Sequence, residues 1–574
     1  MLLITKSDIT TITKSLQELS YMKNRLENFN NYLYTRKHFS CSQIIDYFTN
    51  YFAKLYYNTP IYDFIEYEDY VPNNLNITPK DCLKGDSVIG KQIANGTITL
   101  CSQSLDISNN IDWRSSLVNS HFLKQLHSFD YLKDLEACSR NQGRPTAIRM
   151  VRSWMDEEAF VDSNFWQPTI LSRRLVNLIT YANWMFKECD VNFKKDLMAV
   201  ILKQSKHLSK TIPWHKPGYD VIASIKGIIY AGLALPQNQS AFLEGLDVLK
   251  DELNRQILED STHVQKNPFV QFNLLKDLVE IQATMQLANQ QVPAIISQSI
   301  SSMAESLAFF RHTDGALTMF NSSFIGESEK TSELLKICNQ SFQTDLLPRA
   351  GFRKLTREDT SIIVDCGEFT KPDILNSSTA STLAFELAYK NSRVFVSSGK
   401  FADSKNDYRQ TCNFNAIEVD NNSSSSVLKY GLTGKHVEKV ESFFQQEKSL
   451  GIGFEGSFYG FKNNKVKHSR RIFLAESGDE IRGEDSILGA EDNVKAFFHI
   501  HPLYEVKLLD SYSADILFDG SKIAEFKCAG GILRKQQTTL AEKVGEIREK
   551  QTLVLTAKVN KKETILRWAI SFTD

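Results

Sequence analysis

From about Trp113 to Asn339 apolar residues recur at i, i+3 and i+4, the period of an amphipathic helix. The pattern runs through "NSHFLKQLHSFDYLKDLEAC", "QPTILSRRLVNLITYANWMF", "FKKDLMAVILKQSKHLSKTI", "YDVIASIKGIIYAGLAL", "QSAFLEGLDVLKDELNRQIL", "NPFVQFNLLKDLVEIQATMQL" and "AIISQSISSMAESLAFFRH". Short connectors such as "PWHKPG" and "LPQNQ" separate these words, so the region predicts a train of antiparallel helical hairpins. Periodicity alone leaves a closed toroid and an open solenoid both open. Near Leu346 the period changes to 2. "TSIIVDCGEF", "STLAFELAYK", "SRVFVSSGK", "FNAIEVDNN", "SVLKYGL", "GSFYGFKNN", "KVKHSRRIFLAES", "NVKAFFHIH", "SADILFDG" and "QTLVLTAKVN" read as strands divided by Gly, Asn, Asp and Ser turns. So many short strands without an intervening helix predict a large antiparallel β-sandwich. The expected organisation is a mixed N-terminal segment over 1–110, a helical domain over 111–340 and a sandwich over 345–574.

Composition narrows the function classes. A chain of 574 residues exceeds one compact core, and 42% hydrophobic with 24% charged residues is ordinary for a folded protein. A formal net charge of -1 supplies no global attraction to nucleic acid. The longest apolar stretch, Val221 to Leu235, is interrupted by Lys226 and is shorter than the roughly 20 residues a membrane span needs. The first residues show no basic segment leading into an apolar core, so no signal peptide is read. The 9 cysteines form no CxxC pair, which fits reduced thiols. These features predict a soluble, cytoplasmic protein, with association to a bacterial envelope as the alternative. No P-loop, Rossmann glycine word, HExxH or GxSxG occurs.

Several stretches carry candidate chemistry. Between Ile201 and Gly218, Lys203, Lys206, His207, Lys210, His215 and Lys216 stand without an acidic residue. Lys203, Lys206 and Lys210 share a helical face that could attract an anionic chain, with Trp214 as a stacking platform; the alternative is a solvated helix end. Trp166, Arg173 and Arg174 could face a sugar, or Trp166 could pack in the core with one arginine in solvent. His499 and His501 fall on one strand face, but no third metal ligand is recognisable beside them. "RHTDGALTMFN" (311–321) is expected as a junction between domains, with His312 and Asp314 lining a cleft as the alternative. "RGED" (482–485) is expected as a charged turn.

The order of several words resembles the heparinase II/III-like family. They are "LHSFDYLKDL" (126–135), "WQPTILSRRLVNLI" (166–179), "SSTASTLAFEL" (377–387), "RRIFLAESGDEIRGED" (470–485) and "FFHIHP" (497–502). The resemblance implies an incomplete α/α toroid followed by a large antiparallel β-sandwich. It also implies β-elimination on an acidic, uronate-containing polysaccharide or oligosaccharide in the cleft between domains. Such a lyase needs a base, an acid and neutralisation of the uronate carboxylate. The family's Asn-His pair falls on Tyr219 and Asp220, its tyrosine on Val270, its sandwich histidine on Thr379 and a second one on Phe414. These positions thus lack their usual chemistry. If the chain is catalytic, Tyr219, His263 and Asp220 are the candidates. Lys203, Lys206, Lys210, Trp214, Lys266, Asn267 and Thr379 are the candidates for holding substrate. The alternative is a non-catalytic glycan-binding or envelope-related scaffold. No cofactor, nucleic-acid partner or membrane span is expected.

Overall fold

The computed structural model describes residues 71–158, 165–211, 218–236, 238–339, 344–368, 378–400, 408–427, 435–447, 450–461, 464–559 and 563–573. Trp214, the word "PWHKPG" before Gly218, most of "SVLKYGL" and the helical spacing near the N-terminus lie outside them.

The first described elements are helix α1 (Ser87–Ala94) and a hairpin of β1 (Thr97–Leu100) and β2 (Gln103–Asp106). Asp86 caps α1 by accepting from the backbone N–H groups of Val88 and Ile89. "NSHFLKQLHSFDYLKDLEAC" forms two short helices, α2 (Ser120–Leu126) and α3 (Leu132–Ala137), because Phe129 takes a left-handed φ of 59° between them. The helical train continues with α4 (Arg140–Glu158), α5 (Pro168–Met185), α6 (Val191–Thr211), α7 (Tyr219–Ala234), α8 (Gln239–Gln256), α9 (Pro268–Leu287), α10 (Ala294–Phe309) and α11 (Ser328–Ile337). Helix α7 is buried on all sides from Val221 to Ala234, and α5, α6, α8 and α9 pack around it. An all-round apolar helix is what such a central position demands.

The described strands form three larger antiparallel sheets. A five-stranded meander holds β3 (Leu346–Leu347), β4 (Phe352–Arg357), β5 (Thr360–Asp365), β6 (Phe385–Tyr389) and β7 (Ser392–Phe395). The remaining strands are β8 (Ile417–Val419), β9 (Val440–Glu447), β10 (Gly451–Gly460), β11 (Val466–Ala475), β12 (Glu480–Leu488), β13 (Asn493–His499), β14 (Glu505–Leu508), β15 (Ser513–Phe518), β16 (Ser521–Ala529), β17 (Ile532–Lys543), β18 (Glu546–Lys558) and β19 (Thr564–Phe572). They build an eight-stranded sheet ordered β14-β15-β16-β19-β12-β11-β10-β9 and a four-stranded sheet ordered β17-β18-β13-β8. The architecture is an incomplete α/α toroid followed by a large β-sandwich.

"RGED" is not a turn. It lies inside β12, with Arg470 opposite Asp485 and Arg471 opposite Glu484 on β11. Burial alternates along it: Gly483 and Asp485 face the core, Arg482 and Glu484 face out. Three charged letters out of four hid a period of 2, because one of them is a buried ion.

The helical core does not stop at the sandwich. Leu347, Phe352, Ile363, Ala384 and Phe414 join the same cluster of buried side chains as Phe310 and Phe320. Phe352 stands edge-on to Phe310, ring centroids 5.0 Å apart, and 5.3 Å from Phe320. The "HTDG" junction clasps the same boundary, with His312 bonded to Glu386 at 3.1 Å and Asp314 to Arg393 at 2.8 Å.

Candidate functional site

The turn before α9 is built from its backbone outward. Ile257 and His263 form an isolated bridge, and Ser261 and Lys266 take left-handed φ values of 62° and 50°. Asn267 caps α9 by accepting from the Val270 N–H at 2.9 Å, and Pro268 follows at the first helical position. Gln271 ties the turn together. Its amide oxygen accepts from the His263 N–H, and its NH₂ donates to Ser261 O and Ser306 Oγ. His263 is 0% exposed; its Nε2 pairs with Gln256 Oε1 at 2.8 Å and its Nδ1 accepts from the Gln265 N–H. Burial pushes its pKa down to about 3, so the ring is neutral near pH 7. The structure therefore directs both ring nitrogens into the turn.

Tyr219 opens α7, following Gly218 at a φ of 136°. Its N–H reaches Gln265 Oε1 at 3.3 Å, joining α7 to the same turn. Its hydroxyl donates to Asp277 Oδ2 at 2.8 Å. Asp277 also receives Lys226 Nζ at 2.9 Å, and Lys226 bonds Glu280. Burial opposes the charge on Lys226, yet Asp277 and Glu280 more than offset it and hold the ammonium well above its usual range. Lys226 correspondingly holds the Glu280 carboxyl down to about 2 against burial. Burial and then Asp277 push the Tyr219 hydroxyl well up. Arg173 pairs with Asp130 while staying half-exposed, and its charge acts on both Tyr219 and Asp277. Asp220 is exposed on the first turn of α7, within electrostatic range of Lys400 from the sandwich.

Across the domain boundary Lys266, Asn267 and Thr379 do come together, through Asn321. Asn267 Nδ2 donates to Asn321 O and Asn321 Nδ2 donates to Lys266 O. Thr379 Oγ1 lies 3.3 Å from Asn321 Oδ1 and 2.8 Å from Ser381 Oγ, with its one hydroxyl hydrogen available to either, and Ser381 donates to Asp365. Lys266 Nζ donates to Glu368 O at 2.8 Å. Burial raises the Asp365 carboxyl to about 6 and lowers the Lys266 ammonium. Val270 is half-buried, and Phe414, where the family's second histidine would fall, is 2% exposed in the hydrophobic core.

The basic helix face stands elsewhere. Lys203 Nζ sits 5.5 Å from the Trp166 ring, Lys206 is half-buried and Lys210 is exposed in the last turn of α6. Trp166 is core, and Arg174 is buried with its guanidinium over Trp154 and Trp166. His499 bonds Thr552 Oγ1 and His501 bonds Glu542. Among the described residues no group of three or more His, Cys, Asp and Glu side chains stands together as a metal site.

Sequence reasoning passed over Asp277, Glu280, Asp365, Ser381, Asn321 and Lys400. Lys226 was the available signal: one lysine inside the longest apolar run requires buried counter-charges. Asp277 and Glu280, spaced i, i+3 on α9, are the pair that supplies them.

Comparison with known proteins agrees with this architecture. The family model "Heparinase II/III N-terminus" matches residues 10–345, and "Heparinase II/III-like, C-terminal" matches residues 339–569. A crystal structure of heparinase III superposes with a TM-score of 0.69 at 14% identity, covering 90% of this chain and 88% of that one. A heparan sulfate lyase from Pedobacter heparinus gives 0.54 at 13% identity, covering 87% and 85%. FtsZ-localized protein C of Caulobacter vibrioides is 24% identical over 457 residues, 75% of this chain and 78% of that protein. With both halves matched and the toroid followed by the sandwich, the chain belongs to the heparinase II/III-like family.

Proposed function

We propose that this protein binds an acidic, uronate-containing glycan where the N-terminus of α7 meets the sandwich, and does not cleave it through the residues its family uses. The observation that carries this reading is the Tyr219–Asp277 bond of 2.8 Å. The hydroxyl is held protonated by burial and by that carboxylate, so it is a poor base at neutral pH. His263 faces Gln256, and Val270, Thr379 and Phe414 supply no proton-transfer group near pH 7. Arg173, Lys266 and Lys400 offer positive charge for uronate carboxylates. The relative named for its localisation with FtsZ supports a place for such a scaffold at the dividing envelope. No described helix is long and apolar enough to cross a membrane.

A second reading has its own support. Tyr219, Asp277 and Lys226 form a proton-transfer chain beside Arg173, which could neutralise a uronate during β-elimination. One assay separates the two. The full chain is incubated with a panel of uronic-acid polymers; ultraviolet absorbance of unsaturated product is followed and binding is measured by calorimetry. Binding without absorbance supports the scaffold. Absorbance that disappears in Tyr219→Phe and Asp277→Asn overturns it in favour of the lyase. A fluorescent fusion diffuse throughout dividing cells would remove the division-site element.

A further inference from the structure

Two hairpin tips meet across the domain boundary, one from each domain. On the toroid side β1 and β2 pair from Thr97 opposite Asp106 to Leu100 opposite Gln103, leaving Cys101 and Ser102 as a two-residue turn. Both take left-handed φ values, 49° and 58°, a conformation that favours Gly and Asn. The hairpin beneath them is firmly rooted. Ile98 and Leu105 are buried in the helical core, and the Asn119 N–H donates to Gln103 Oε1 at 2.9 Å. On the sandwich side β17 and β18 close at Lys543 and Glu546 around Val544 and Gly545, with Gly545 at a φ of 80°. The stem of that hairpin is tied at Ala541, whose N–H donates to Ser398 O, and at Glu542, whose carbonyl accepts from the Ile325 N–H. The tips touch closely. A Cβ on Gly545 would stand 2.3 Å from Cys101 O and 3.0 Å from Cys101 Cβ, so only glycine allows the approach. A strained turn on a rooted stem, pressed against a glycine, marks a contact that the fold imposes.

This contact stands beside the junction site. Arg173 lies within electrostatic range of Cys101 as well as of Tyr219 and Asp277. Burial pushes the Cys101 thiol up to about 11, so the tip is neutral near pH 7 and leaves the cation of Arg173 unopposed on that side. Lys400 follows Gly399, which bridges Ala541 at the stem of the sandwich hairpin, and its charge acts on Asp220 of α7 and Lys124 of α2. Tyr219 is also joined through Gln265 to the turn that Asn321 fastens to Thr379. The sandwich therefore meets the toroid at two places around Tyr219: the two tips toward Arg173, and the Asn321 cluster toward Gln265. A polymer enters a site bracketed in this way by threading an end, whereas its middle has no open side through which to settle.

We propose that the contact of Cys101 with Gly545 is a clasp that closes the cleft beside Arg173, so that the site takes the end of an acidic glycan chain and excludes chain interiors. It rests on the acidic-glycan reading above and adds the form of ligand the site accepts. The test counts how many copies of the full chain load onto one polymer. Hyaluronan, alginate and heparosan are each presented as hexasaccharides and as long polymers, and bound protein per chain is measured by sedimentation velocity at physiological salt. The wild type is expected to load a single copy per chain whatever the length, and to bind a hexasaccharide molecule as tightly as a polymer molecule. Two variants open the clasp from opposite sides. Gly545→Ala drives a Cβ into Cys101 O, and replacing Thr99 to Ser104 by Asn-Gly shortens the toroid hairpin while keeping Ile98 and Leu105 paired. Each is checked for an unchanged unfolding midpoint. With the clasp open, loading on long polymers is expected to rise several-fold and to scale with length, while hexasaccharide affinity stays as in the wild type. Wild-type loading that grows with polymer length overturns the clasp and leaves the junction reading intact. A single copy per chain in both opened variants also overturns it, because the end preference then has another source. No wild-type binding to any of these polymers or hexasaccharides overturns the junction reading and the clasp together.

Discussion

Arg470 and Arg471 are neighbours on one strand, each opposite a carboxylate on the next, and they live in different electrostatic worlds. Arg470 points inward and Asp485 meets it at 2.6 and 3.1 Å, both side chains 0% exposed. Asp485 also receives His468 and Trp568, and these partners hold its carboxyl well below the usual range against burial. Arg471 points outward at 62% exposure, 3.7 Å from Glu484. One residue of register decides whether the same pair is an uncompensated liability when broken or a screened surface contact.

The sharpest way to break this contrast is Asp485→Ala. It leaves Arg470 buried without its carboxylate and should cost about 3–5 kcal/mol in denaturant unfolding. A loss below about 1 kcal/mol would show that the inward pair behaves like the outward one. Asp365 tests burial without a tight ion pair. Its folded pKa, about 6, lies above the ordinary aspartate value of 3.8, so the native state binds more protons between those values. Its contribution is therefore fully present below about pH 4 and lost as pH rises through 6, by up to about 3 kcal/mol. Asp365→Asn should flatten that part of the stability–pH profile; an unchanged profile would refute the assignment. His263→Ala removes two buried hydrogen bonds and should cost about 1–3 kcal/mol while leaving glycan affinity intact. Lost affinity at unchanged stability would return His263 to the site. Glu484→Gln is the smallest effect, under about 1 kcal/mol in the same unfolding assay.

The switch from period 3.6 to period 2 makes the order of helices and strands legible in the amino-acid pattern alone. Burial of the second face is harder to read. In β12 a core aspartate looks like surface, since sequence pattern records polarity and not the partners that neutralise it. The same limit governs the site. Lys226 announces itself by interrupting an apolar run, whereas Asp277 and Glu280 sit in "LLKDLVEIQ" like ordinary surface residues of a helix. The junction cluster is half legible: Lys266, Asn267 and Thr379 come from resemblance, but Asn321, which binds them, lies more than fifty positions from either end of the cluster. His263 draws attention because histidine titrates near neutrality, and the fold has removed that property by enclosing it.

The shared core around Phe310, Phe320, Phe352 and Phe414 has a bearing on how the molecule comes apart. A toroid whose helix α10 ends on the same rings that the first strands of the sandwich bury cannot melt separately from it without exposing both. Heat or denaturant should meet one cooperative unit at this seam, and amide protons of α10 and β4 should exchange with a common opening free energy. Cutting the chain between Ile337 and Leu346 would then yield two fragments that each need the other to fold.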